Sequence, residues 1–141
     1  MERWGQLFWR LGTGVWLGSI FFLFAAIAPN VFRILPGVDA GRLVDTIFPI
    51  YYAIGLVFGG LALIGALMRL GMARDRNRWV LVGIGLANML LVLWADHILV
   101  VMNRLAANSL QFRSLHERSV VISVVVFLVV LFGMIWEALW L

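Results

Sequence analysis

The hydrophobic positions of this chain form four continuous blocks separated by short polar segments. The blocks cover about residues 11–28, 50–72, 79–101 and 119–141. A bilayer core about 30 Å thick takes roughly 20 helical residues per crossing, so each block predicts one membrane span. Because apolar residues are continuous in each block rather than alternating with period two, a transmembrane β-barrel is excluded. The pattern therefore predicts an all-α fold, an integral membrane four-helix bundle.

The first connection, between the first two blocks, carries all three prolines of the chain. Pro29 predicts the end of the first helix, since proline breaks the backbone ladder, and Pro49 predicts the start of the second span. Between them, residues 39–48 show helical periodicity, with Asp39 as the expected N-cap. We expect this segment to form a short amphipathic helix at the membrane interface. Its apolar face would be made of Leu43, Val44, Ile47 and Phe48.

Composition agrees with one transmembrane domain over residues 1–141. Hydrophobic residues make up 64% of the 141-residue chain and charged residues only 13%, about half the usual share of a soluble domain. Cysteine is absent, which excludes disulfides and thiolate metal sites.

The arginines predict how the chain lies in the membrane. All 11 basic residues are arginine, and they sit at the predicted helix ends, so the net charge of +4 does not indicate nucleic-acid binding. Arg69, Arg74, Arg76 and Arg78 lie around the short link between the second and third spans, and Arg3 and Arg10 lie on the same side. Since arginine-rich short loops stay in the cytoplasm, we expect a multi-pass protein of the bacterial inner membrane with both termini cytoplasmic. The first and third connections then face outward.

Two glycine pairs predict close helix contacts. Gly14 and Gly18 lie in the first span, Gly55 and Gly59 in the second, and each pair has the G-x-x-x-G spacing. In lipid, small residues let helix backbones approach closely and supply much of the contact energy. The pairs are expected either to close the bundle internally or to form a homodimer or a contact with a larger membrane complex.

Two acid–histidine doublets contain the only histidines of the chain. Asp96-His97 lies about one turn before the end of the third span and His116-Glu117 lies at the start of the fourth, so both are on the outward side. Ionisable groups beside a hydrocarbon core are functional candidates by default. At 100° per residue, His116, Ser119 and Ser123 fall within about 60° of one another. The polar stripes of the two helices predict an outward-facing pocket lined by Asn88, Asp96, His97, His116, Ser119 and Ser123.

Two interpretations of this pocket stay open. Two imidazoles and a carboxylate suit copper or zinc, and a histidine could ligate haem, so His116 and His97 are candidate metal ligands. In the other interpretation, these groups only mark where helices leave the bilayer, with Asn88 and the serines as interhelical hydrogen-bonding groups. No nucleophile–base arrangement or phosphate-binding loop can be assembled, which argues against hydrolysis and phosphoryl transfer.

Three motifs resemble a known family. They are Ala28-Pro29-Asn30-Val31-Phe32-Arg33-Ile34-Leu35, then Ala40-Gly41 with Ile47-Phe48-Pro49-Ile50-Tyr51-Tyr52, and Phe112-Arg113-Ser114-Leu115-His116-Glu117-Arg118-Ser119. In this order they resemble the uncharacterised bacterial membrane proteins related to transmembrane protein 205. The chain is more distantly similar to the copper-resistance D group and to haem-associated membrane oxidases. The resemblance implies four membrane helices without a defined activity, and favours metal or haem at His116, the histidine within a family motif.

The leading hypothesis is a protein that binds or passes a metal ion or small solute through the pocket near His116. The alternative is a structural or accessory subunit that packs against a membrane complex, or against itself, through its glycine faces. A redox enzyme that uses haem or quinone is a third hypothesis, which requires a coloured preparation.

Overall fold

A computed structural model describes residues 1–106 and 109–141, except for the side chains of Val38, Val44 and Asp45. In this part of the chain every long element is helical. The elements are α1 (Glu2–Phe22), a π-helical turn (Leu23–Ile27), α2 (Ala28–Ile34), α3 (Gly37–Met72), α4 (Arg76–Met102) and α5 (Leu110–Trp140).

The described residues form four helices long and apolar enough to cross a membrane. They are Glu2–Ile34, which joins α1, the π-helical turn and α2, then Asp39–Met72, Arg76–Met102 and Leu110–Trp140. The all-α four-helix prediction is therefore confirmed. Side-chain caps mark two of the helix starts: Asp75 accepts the backbone N–H of Arg78, and Ser109 accepts that of Phe112.

The first connection differs from the prediction. Pro29 does not end the first helix, because it lies in the first turn of α2, where its missing N–H costs little. The 39–48 segment is helical, as expected, but it is continuous with the second span: α3 begins at Gly37 and runs through Pro49. Asp39 is therefore in the first turn and is not the N-cap. The side chain of Val44, part of the predicted interfacial face, lies outside the described residues.

The four spans form a ring around a central core. α1 packs most extensively on α3, α3 packs on α4, and α4 packs on α5, while α5 closes the ring on α1 through the smallest interface. α1 therefore lies diagonally opposite α4, and α3 lies diagonally opposite α5. Each end of the helix bundle has its own apolar cluster. One surrounds Trp16, Tyr52 and Val92, and the other surrounds Trp9 and Leu81.

Glycines set the distances from α3 to α1 and to α4. A Cβ added to Gly55 would lie 2.5 Å from the Trp16 ring, and one at Gly59 would lie 2.5 Å from Nδ2 of Asn88, so both positions need glycine. At Gly14 and Gly18, in contrast, an added Cβ would meet nothing within 4 Å. The α3 pair therefore packs inside the chain, and the α1 pair is open. Sequence reasoning missed the other close contacts, which Gly5, Gly12 and Gly65 make between α1 and α3.

Candidate functional site

The predicted serine stripe of α5 meets a tyrosine of α3. The hydroxyls of Tyr52 and Ser119 lie 3.1 Å apart, and either can donate the hydrogen bond. One turn further along α5, the Ser123 hydroxyl donates to the Ser119 carbonyl oxygen at 3.0 Å. All three side chains are buried. These residues, Tyr52, Ser119 and Ser123, form a hydroxyl cluster that bridges two diagonally opposite helices.

Asn88 lies nearer the middle of the bundle. Its Oδ1 accepts the indole N–H of Trp16 at 3.0 Å, which bridges the other diagonal, from α4 to α1. An internal cavity of about 10 Å³ adjoins Asn88 and Thr13, which is close to the space that one water molecule occupies. The predicted polar position is therefore buried, and its partner is an aromatic side chain that sequence reasoning did not include in the pocket.

A lateral cleft leads from the surface of the spans to the hydroxyl cluster. It lies between the first span and α5, has a volume of about 300 Å³ and is lined by Ser123 and by apolar side chains. Those side chains are Ile20, Phe21, Phe24, Ala25, Val124 and Phe127. Phe24 and Ala25 belong to the π-helical turn, a type of distortion that often accompanies functional sites.

The two histidines are not buried with this cluster. His97 and His116 are exposed, Asp96 is half-buried, and the His116 ring lies parallel to that of Phe112 with 6.4 Å between centroids. Within residues 1–106 and 109–141, no group of three or more histidine, aspartate or glutamate side chains could hold a metal ion. The copper or haem site at His116 and His97 stays a prediction.

The opposite end of the bundle holds a carboxylate that sequence reasoning missed. Glu137 of α5 is buried and accepts from Arg69 Nη1 at 2.9 Å and from Arg10 Nε at 3.2 Å. Gln6 donates to the same carboxylate at 3.3 Å. The signal was present in the sequence, since Glu137 is the one acidic residue in the last apolar block, where an unpaired charge would be costly.

Comparisons with known proteins place the chain among uncharacterised proteins. Residues 11–111 match the model of a family described as a domain of unknown function, DUF4149. An uncharacterised protein of Aquifex aeolicus (strain VF5) is 31% identical over 84 residues, which are 60% of this chain and 56% of that protein. The match thus spans little more than half the length of this relative. No solved structure matches the chain.

The family model covers about 70% of the chain: the first span from residue 11 onward, the second and third spans, and the connection to the fourth. The similarity to transmembrane protein 205 and to the copper-resistance D group stays a prediction. The chain belongs to the DUF4149 family, a family of unknown function, and its described residues form four helices that could cross a membrane.

Proposed function

We propose that this protein binds a small solute at the hydroxyl cluster of Tyr52, Ser119 and Ser123. The observation that carries the proposal is the buried hydroxyl pair of Tyr52 and Ser119 at 3.1 Å, beside a cleft that Ser123 lines. Ligand sites are typically concave and mostly apolar, with a few well-placed polar groups. Hydroxyl groups both donate and accept, so they can pair with polar atoms of a solute.

His116 would lie at the mouth of this site. It precedes Ser119 by three residues on α5, and its exposed imidazole would meet a solute that arrives from that end of the bundle. A metal ion is the narrower form of the proposal, with His116 as a ligand and copper or haem as the candidates. Passage of the solute across the bundle would use Asn88 and Trp16, the next buried polar pair along the core.

Co-purification tests the binding proposal. The chain is purified from membranes in mild detergent and analysed by native mass spectrometry, metal analysis and visible spectroscopy. Wild type is expected to retain a small molecule or metal that Tyr52→Phe and Ser119→Ala lose. Ser114→Ala is the matched control, because Ser114 is an exposed serine of the same helix.

The outcomes separate the forms of the proposal. A metal or a haem spectrum that disappears in His116→Ala supports the metal form. A retained organic molecule that is unaffected by His116→Ala supports the solute form alone. Colourless, metal-free wild type that retains no small molecule contradicts both.

A second candidate function is that of a structural or accessory subunit. The observation that favours it is the open face of α1, where Gly14 and Gly18 have no neighbour within 4 Å of an added Cβ. At 100° per residue, the exposed Leu7 and Leu11 lie within about 60° of these glycines. Such a face would let another helix approach closely, from a second copy or from a larger complex.

Crosslinking in native membranes tests this candidate. Gly14→Leu and Gly18→Leu are expected to abolish crosslinked species of the wild type. Gly83→Leu is the control, since Gly83 of α4 is equally open. A wild type that crosslinks to nothing contradicts the accessory role.

The proposed location is the bacterial inner membrane, with both termini in the cytoplasm. Six arginines, Arg3, Arg10, Arg69, Arg74, Arg76 and Arg78, lie near the end of the bundle that holds the start of α1 and the α3–α4 connection. The short α3–α4 connection concentrates positive charge as cytoplasmic loops do.

A further inference from the structure

The end of the bundle that contains the start of α1 and the α3–α4 connection, here called the arginine-rich end, has more positive charge than its own carboxylates can balance. Six arginines lie there beside three acidic residues, Glu2, Asp75 and Glu137. All three acids are already engaged. Glu137 is held by Arg69 and Arg10, and both Glu2 and Asp75 pair with Arg78.

Arg78 joins the three helix ends that carry exposed arginines. Its Nη2 donates to Glu2 at 2.7 Å and its Nη1 to the Arg69 carbonyl oxygen at 2.9 Å, so it joins the starts of α1 and α4 to the end of α3. Arg3, Arg74 and Arg76 flank these contacts in sequence. All three are exposed, and none of them has an ion-pair partner among the described residues.

Exposed tryptophans place this surface at the level of lipid headgroups. Trp4 follows Arg3, Trp79 follows Arg78, and Trp140 ends α5 at the same end of the bundle, and all three side chains are more than half exposed. Indoles concentrate at membrane–water interfaces. Guanidinium groups bind phosphate with two parallel hydrogen bonds, which ammonium groups cannot do. The chemistry that complements this surface is therefore the phosphodiester of an anionic lipid.

We propose that Arg3, Arg74 and Arg76 form a binding surface for the phosphates of anionic phospholipids at the arginine-rich end. The surface is independent of the hydroxyl cluster, which lies in the other half of the bundle. Bound lipid would neutralise the excess charge and hold the start of α1 against the α3–α4 connection.

Native mass spectrometry of the detergent-purified chain tests the proposal, with dioleoyl phosphatidylglycerol as the probe and dioleoyl phosphatidylcholine as the zwitterionic comparison. Wild type is expected to bind phosphatidylglycerol more tightly than phosphatidylcholine. This preference should shrink at high salt, which screens the charges. At about 1 kcal/mol per arginine, the triple variant Arg3→Gln, Arg74→Gln, Arg76→Gln should weaken this binding about a hundredfold, and Arg76→Gln alone about fivefold. The control removes three exposed arginines at the other end, Arg42→Gln, Arg104→Gln and Arg113→Gln.

The proposal is supported if the affinity of the control for phosphatidylglycerol stays within about fivefold of wild type while that of the Arg3, Arg74 and Arg76 variant falls further. It is overturned if the two triple variants lose affinity equally, or if wild type binds both lipids alike. Inorganic phosphate is the last arm. If it protects the protein from thermal unfolding as well as the lipid does, and only when the three arginines are present, the surface is a site for free phosphate and the lipid assignment is wrong.

Discussion

Arg69 and Glu137 form a buried ion pair across the diagonal of the bundle, with 2.9 Å between Nη1 and Oε1. The side chains are 2% and 4% exposed, so water does not screen them. Glu137 also accepts from Arg10 and Gln6 of α1, and one carboxylate thereby ties three of the four spans together. Charges in a membrane span are tolerated when they pair in the bundle interior, as they do here.

Removal of this carboxylate should destabilise the protein strongly. Glu137→Ala leaves the Arg69 guanidinium buried without a counter-ion, and we expect the free energy of unfolding to fall by about 3–5 kcal/mol. The measurement is the unfolding of detergent-solubilised protein by sodium dodecyl sulfate, followed by far-ultraviolet circular dichroism.

Two further variants test whether the loss of stability comes from the unpaired Arg69 charge. The Arg10 side chain is 57% exposed, so Arg10→Ala should cost no more than about 1 kcal/mol. The double variant Arg69→Met, Glu137→Leu removes both charges and should recover most of the stability. An Arg10→Ala protein as unstable as Glu137→Ala would contradict the assignment of Arg69 as the main partner.

The hydrogen bond from Trp16 to Asn88 should appear as an energetic coupling between α1 and α4. A double-mutant cycle with Trp16→Phe and Asn88→Ala is expected to give about 0.6 kcal/mol, the average for interhelical hydrogen bonds in membranes, and no more than about 1.7 kcal/mol. Ser19→Ala replaces Asn88→Ala in the control cycle, because the Ser19 hydroxyl bonds only within α1. Additive effects in the first cycle would argue against the bond.

Glycines of α3 should differ in their response to one methyl group. Gly55→Ala places a Cβ 2.5 Å from the Trp16 ring and should cost about 1–3 kcal/mol through overpacking. Gly60→Ala has open space and should be neutral or stabilising by up to about 1 kcal/mol, because alanine is the better helix former. The same unfolding assay compares the two, and equal destabilisation would contradict the α1–α3 packing described above.

The orientation can be tested with single cysteines, since the chain has none of its own. Ala73→Cys lies in the α3–α4 connection and Ser114→Cys near the start of α5, and both positions are exposed. A membrane-impermeant maleimide added to spheroplasts is expected to label Ser114→Cys directly and Ala73→Cys only after permeabilisation. The reverse pattern would place the termini outside.

Part of the candidate site could be predicted from helical periodicity. Asn88, Ser119 and Ser123, which helical periodicity assigned to the pocket, are buried in the structure. His116 shares the serine face by periodicity and yet is exposed, because burial depends on which neighbours are present at that level of the helix. Tyr52 was missed as a site residue, since an aromatic residue within an apolar block looks the same whether it faces lipid or a hydroxyl.

The number of spans and the all-helical class follow from the apolar blocks alone, because the bilayer demands long apolar segments whose backbone groups bond internally. The sequence also determined which connections hold the arginines. Tertiary structure alone decided which polar groups meet: Glu137 with Arg69, Trp16 with Asn88, and Tyr52 with Ser119. Hydropathy reveals the spans because it records how favourably each residue enters lipid, but it does not say which residues face each other. The rotation of each helix, and the partner that it faces across the ring, are set by packing between residues distant in sequence.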